Sequence, residues 1–214
     1  MNNSVNISLG NVVLKGILNV PEKARGVVIF SHGSGSSRLS PRNNRVAVMF
    51  NTQRFATLLF DLLTEKEDAV YENRFDIDLL TQRLIDVTRW IKDQPATKGL
   101  PIGYFGASTG AASALKAAAY FGDTVKAVVS RGGRPDLAGN ENLYTVSAAT
   151  LLIVGSWDQV VMQLNRETYG KLHCKKQLEI IPEASHLFEE PGKMEQVTVL
   201  AVNWFKKYLK HLTK

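Results

Sequence analysis

A serine, an aspartate and a histidine stand in this chain in the order and the settings that nucleophilic catalysis requires. Ser108 lies in Gly106-Ala107-Ser108-Thr109-Gly110, a G-x-S-x-G string placed after the apolar run PIGYF and before a helical pattern. Glycines there let the chain turn sharply and leave a serine hydroxyl at the apex, on strained backbone. The N-terminus of the following helix favours negative charge developing beside it. A serine hydroxyl is a poor nucleophile until a base takes its proton. Of the histidines, His173 precedes an apolar run, His211 falls in the basic terminal helical pattern and His32 comes before the serine, whereas His186, in IPEASHLFEEPG, stands just after the last apolar run and also follows the serine. That matches the chain order serine, acid, histidine. The base in turn needs a carboxylate to hold its tautomer. Asp158 directly follows LLIVG, and Asp136, after Arg134-Pro135, is the alternative acid. Asp158 also stands where a helix N-cap belongs, and one residue can hold both roles.

A tetrahedral oxyanion needs two donors. The backbone N–H of Thr109, next after the serine, is one. The other is expected from His32-Gly33-Ser34-Gly35-Ser36, assigned to the N–H of Ser34 with Gly35 as the alternative. His32 stands where a strand turns into this loop and is expected to brace it. Arg38, Arg42, Arg45, Arg131 and Arg134 fall near strand ends. Guanidinium forks bind carboxylate and phosphate, so Arg38, Arg131 and Arg134 are candidate contacts for an anionic small-molecule substrate. The competing expectation is that the arginines pair with Asp61, Asp76, Asp136, Glu189 and Glu190. The histidines lack metal-site spacing and the single cysteine, Cys174, has no partner, so neither a metal nor another cofactor is expected. The Gly-rich loop lacks the lysine of a phosphate-binding P-loop.

The elements that must carry these residues alternate. Val5–Leu9 and Val12–Val20, around Gly10-Asn11, read as an antiparallel hairpin. Short apolar runs follow at Gly26–Ser31, Thr57–Phe60, Pro101–Phe105, Val125–Val129, Leu151–Val154 and Leu178–Ile181. Helical patterns lie at Arg42–Gln53, Asp76–Lys92, Thr109–Tyr120, Val160–Lys171 and Met194–Lys210. This alternation predicts an α/β fold: a mostly parallel twisted sheet covered on both faces by helices, with the hairpin as an antiparallel edge. In such sheets sites form beyond the carboxyl ends of the strands, where the candidate residues fall. No linker or repeat interrupts the pattern, so one domain over residues 1–214 is expected.

The 214 residues suffice for a core without disulfides. An apolar fraction of 44% and a charged fraction of 21% are those of an ordinary soluble protein. No run is long enough to span a bilayer and the first residues do not resemble a secretory signal, so a cytoplasmic protein without membrane association is expected. The formal charge of +6 gathers partly at Lys206, Lys207, Lys210 and Lys214. Trp204, Phe205, Tyr208, Leu209 and Leu212 interleave there at helical spacing. An amphipathic helix with a solvated basic face follows, rather than a nucleic-acid surface.

With these residues assigned, the chain resembles α/β-hydrolases of the dienelactone hydrolase-like group, and most of all small bacterial hydrolases sometimes fused to a phosphoribosyltransferase domain. The matching stretches run through nearly the whole chain: SHGSGSSRLSPRN, LLFDLLT, RFDIDLL, LPIGYFGASTGAA, VVSRGGRPDLAG, LLIVGSWD and SHLFEEPG. The resemblance implies an α/β-hydrolase fold and hydrolysis of an ester-like bond. Dienelactone hydrolase itself uses a cysteine nucleophile where this chain has Ser108, so its lactone substrate is not implied. No phosphoribosyltransferase portion is recognised in these residues, so no nucleotide chemistry is implied either. The stretch between VKAVV and LLIV has no room for a large helical cap. An open site and a small soluble ester are therefore expected, with a thioester or amide as alternatives and non-catalytic ligand binding as the competing class.

Overall fold

The computed structural model of the protein describes residues 3–210. Its strands are β1 (Ser4–Leu9), β2 (Val12–Asn19), β3 (Gly26–Ser31), β4 (Phe55–Phe60), β5 (Ile102–Ala107), β6 (Val125–Arg131), β7 (Ala149–Gly155) and β8 (Lys176–Ile181). They form one sheet in the order β1-β2-β4-β3-β5-β6-β7-β8. β1 pairs antiparallel with β2, and β2 antiparallel with β4. From β4 to β8 every pairing is parallel. Every residue of β3, β4, β5 and β7 is buried. Their unbroken apolar runs are what strands covered on both faces require.

The helices are α1 (Pro41–Thr52), α2 (Glu65–Asp68), α3 (Ile77–Asp93), α4 (Thr109–Phe121), α5 (Asn140–Thr145), α6 (Gln159–Lys171) and α7 (Lys193–Tyr208). Two apolar layers enclose the sheet. On one face α3 and α4 pack Leu80, Leu84, Val87 and Ile91 with Ala112, Leu115 and Ala118 against Ile29, Leu58 and Tyr104. On the other, α1 and α7 pack Val46, Phe50, Val197, Ala201 and Phe205 against Val28, Phe30, Phe105 and Val129. α4 is rich in alanine and buried over most of its length, so its axis can lie close to the sheet without leaving voids.

The long helices agree with the sequence pattern to within a residue or two. The pattern Met194–Lys210 ends two residues early, at Tyr208. Its buried row of Val197, Ala201, Val202 and Phe205 and its exposed Lys206 and Lys207 give the expected amphipathic helix. His211, Leu212 and Lys214 lie outside the described residues. The two short helices carry too few apolar positions for periodicity to reveal them. α2 is set by a local capping box, in which Thr64 and Glu67 satisfy each other's backbone N–H groups. Among the described residues no helix is long and apolar enough to cross a membrane.

Aromatic packing fixes the central strands beneath the site. Phe30, near the end of β3, and Phe105, near the end of β5, lie 5.1 Å apart between ring centroids. Phe50 of α1 joins them at 5.7 and 5.6 Å and meets Phe205 of α7 at 5.5 Å. Such pairs each contribute about 0.5–1.5 kcal/mol beyond the area they bury. The loops after β3 and β5 therefore rise from a rigid floor.

Candidate active site

Ser108 joins β5 to α4 with φ 49° and ψ −124°, a conformation that side-chain-bearing residues avoid. The turn is held from several sides. The Ser108 N–H donates to the Arg131 carbonyl at 3.3 Å, and the Ser108 carbonyl accepts from the N–H groups of Ala111 (3.1 Å) and Arg134 (3.0 Å). Gly110 packs so tightly on β3 that a Cβ there would lie 2.1 Å from the Ser31 carbonyl oxygen. Below it the Ser113 hydroxyl donates to the Gly110 carbonyl at 3.0 Å, which leaves the Ser31 hydroxyl to donate to Ser113 at 2.8 Å. The strand-to-helix placement read from G-x-S-x-G is thus reproduced, with the hydroxyl-bearing residue at the apex.

His186 and Asp158 meet across the loops after β8 and β7. His186 Nδ1 lies 2.6 Å from Asp158 Oδ2. A carboxylate only accepts, so Nδ1 carries the proton and Nε2 is the nitrogen left free to act as a base. The two loops are tied together. The Trp157 N–H donates to the Ala184 carbonyl at 3.0 Å, and the Glu183 N–H donates to the Ser156 hydroxyl at 2.8 Å. Glu190 accepts the Ser185 N–H at 3.1 Å, a bond that holds its carboxyl below the usual range. Ser108 and His186 line one cleft of about 220 Å³, together with Gly33, Ser34, Ser36, Ser40, Arg42, Ala107, Arg131 and Leu187. The other acid considered from the sequence, Asp136, is engaged elsewhere. Its two oxygens accept from Arg134 at 2.9 and 2.8 Å.

Thr109 opens α4, so its N–H has no helical carbonyl to meet and faces the start of the helix. Ser34 is also beside the elbow, but its N–H donates to the Thr109 hydroxyl at 3.0 Å. That second donor is therefore held by a side chain. His32 does what its position suggested. The Leu62 N–H donates to His32 Nε2 at 3.1 Å, which fixes the proton on Nδ1, and Nδ1 donates to the Gly33 carbonyl at 2.9 Å. The ring locks the loop after β3 to the loop after β4, and burial pushes its pKa down.

The arginines divide. Arg38 is paired with Asp61, whose carboxylate also accepts the Arg38 N–H at 2.8 Å. Arg134 is paired with Asp136, and Arg42 with Glu189 at 2.7 Å. Arg38 and Arg134 are therefore each held by an acid, and neither lines the cleft that Ser108 and His186 share. Arg131 is different. It is 7% exposed, its Nε is buried without a hydrogen-bond partner, and among the described residues no carboxylate pairs with it. Burial, and secondarily the like charge of Arg42, pushes its pKa down to about 10. Sequence alone set these arginines side by side as equals.

A mostly parallel sheet flanked by helices, with a serine at the strand-to-helix elbow, defines the α/β-hydrolase class of fold. Within it, the chain belongs to the dienelactone hydrolase family, whose model matches residues 14–212. It is 52% identical to a dienelactone hydrolase from Anabaena variabilis. The two structures superpose with a TM-score of 0.93 over 97% of each chain. It is also 57% identical over 205 residues to a Mycobacterium tuberculosis protein that carries the name of a phosphoribosyl transferase. That match takes in 96% of this chain but 46% of the relative, so the chain spans about half the length of the curated relatives it matches. Est1E from Butyrivibrio proteoclasticus shares the fold at 16% identity, with a TM-score of 0.82 over 96% of this chain and 98% of its own.

Proposed function

We propose that the chain is a serine hydrolase that cleaves a small ester through an acyl-serine intermediate. The observation that carries this reading is the 2.6 Å bond that orients His186, with Nε2 left free, in the same cleft as Ser108. His186 Nε2 takes the Ser108 proton as Oγ forms a bond to the ester carbonyl carbon. Asp158 stabilises the imidazolium. The carbon–oxygen bond to the leaving alcohol then breaks, and the alkoxide takes the proton from His186. Water attacks the acyl-serine by the same route, its proton passing through His186 back to Ser108 as the acid is released. The Thr109 N–H serves the oxyanion, and the Ser34 N–H joins it once the Thr109 hydroxyl turns aside. Each such donor contributes a factor on the order of 10²–10³ in rate. The short connection from β6 to β7, only α5 and a 3-10 turn over Pro135–Ala138, suits a small, soluble substrate.

Labelling with a fluorophosphonate probe tests this directly. Wild type should label stoichiometrically. Ser108→Ala should not label, and His186→Ala should label far more slowly. Asp158→Asn should slow turnover by a factor on the order of 10⁴ while Asp136→Asn leaves the labelling rate within a few-fold of wild type. A folded wild type that fails to label would remove the serine mechanism, and loss of labelling in Asp136→Asn rather than Asp158→Asn would reassign the acid.

A further inference from the structure

Side chains alternate across a strand, so Ala127, Val129 and Arg131 of β6 share a face. Ala127 and Val129 are core residues of the layer under α1 and α7. Arg131 continues that row beyond the core, where the sheet ends and the cleft begins. Its backbone is the register partner of Ala107 and accepts the Ser108 N–H, so its side chain springs from the strand directly beside the nucleophile. A guanidinium with so little exposure would ordinarily be matched by a buried carboxylate, because an unpaired buried charge is strongly unfavourable. Here none is present among the described residues, and Nε is left without a partner while the side chain lines the cleft. The other cation on the wall, Arg42, has Glu189 as its counter-ion, and that carboxylate is 61% exposed. Exposed pairs of this kind are weak and can be displaced.

We propose that Arg131 is an anion acceptor, binding a carboxylate or phosphate group that the substrate carries close to the carbonyl attacked by Ser108. The inference rests on the hydrolase reading for its kinetic consequences, but not for binding. The planar fork of arginine takes two oxygens of either group at once. The cleft, at about 220 Å³, admits a small ligand and little more. The negative charge that the described residues do not set against Arg131 is thus supplied by the substrate.

The test compares monomethyl succinate with methyl butanoate, in which a carboxylate replaces a methyl group, on wild type, Arg131→Met and Arg131→Lys. In wild type kcat/KM should favour the anionic ester. In Arg131→Met that preference should fall about 10- to 100-fold, mainly through KM, and Arg131→Lys should restore part of it. A merely structural arginine would move both esters together. Removing an unmatched buried charge should also raise the melting temperature of Arg131→Met by about 2–4 °C, whereas loss of a structural arginine would lower it. Equal kcat/KM for the two esters in wild type, or an unchanged ratio in Arg131→Met, would overturn the proposal. Calorimetric titration with succinate and with inorganic phosphate separates the two anions and stands apart from turnover. Binding of either that disappears in Arg131→Met upholds the anion site, even if fluorophosphonate labelling has removed the hydrolase mechanism. If neither anion binds, the inference is wrong.

Discussion

At Ser108 the requirements of chemistry and of folding oppose each other. A positive φ of 49° lifts the hydroxyl clear of the sheet, at a cost on the order of 1–3 kcal/mol for a residue with a Cβ. Glycine escapes that cost but gives up the proposed nucleophile and adds some backbone entropy to the unfolded chain. Ser108→Gly should therefore be more stable than Ser108→Ala by about 1 kcal/mol, with both variants inactive. Urea unfolding of the pair measures this, and equal midpoints would mean that the elbow is not strained. Gly33 is fitted to the same residue from the other side. A Cβ there would stand 2.9 Å from the Ser108 Cβ, so the loop after β3 can approach Ser108 only without a side chain at that point.

At the scale of elements, the site depends on loops being tied to one another, and His32 is the tie between β3 and β4. Its ring is neutral in the folded chain, and burial holds its pKa below the ordinary 6.5. Below about pH 6.5 the unfolded chain binds a proton that the folded chain refuses. The stability contribution is therefore complete above that pH and is lost as pH falls toward the folded-state value, at up to about 1.4 kcal/mol per pH unit. The urea midpoint of wild type should drop between about pH 7.5 and 5.5, and His32→Gln should flatten that drop. Parallel slopes would exclude His32 as the source. The bracing role was legible from position, as were the strands, the long helices and the serine, acid and histidine after successive apolar runs, because each is written in local pattern. What the sequence hides is partnership between distant residues. Arg134 pairs with Asp136 while Asp158 meets His186, Arg38 pairs with Asp61, and the Thr109 hydroxyl takes the Ser34 N–H. None of these choices has a periodicity. The capping box at Thr64 and Glu67 was visible in principle as T-x-x-E, but the helix it starts is a single turn.

For the whole molecule, the arrangement of connections decides what can enter. β3 and β5 are neighbours at the centre of the sheet, while the chain leaves β3 for α1 and β4 on one side and leaves β5 for α4 and β6 on the other. The loops after them diverge and leave the crevice in which Ser108 stands, as expected where strand order reverses. Among the described residues only α5 and the Pro135–Ala138 turn stand between β6 and β7, a connection too short for a helical lid. With 4-nitrophenyl esters, kcat/KM should be highest for acyl chains of about two to four carbons and at least tenfold lower near twelve, given so small a cleft. A flat profile would mean that the chain lies along an outer surface instead. The residues around the cleft come from the ends of β3, β5, β6 and β8 and the start of α1, regions far apart in sequence. Helical signal can therefore recover early in refolding from contacts within α3 or α4, whereas an assembled cleft exists only after the slow, non-local strand pairings are complete. On the proposed mechanism, the reactivity of Ser108 is a clock that starts only when the last parallel strand has docked.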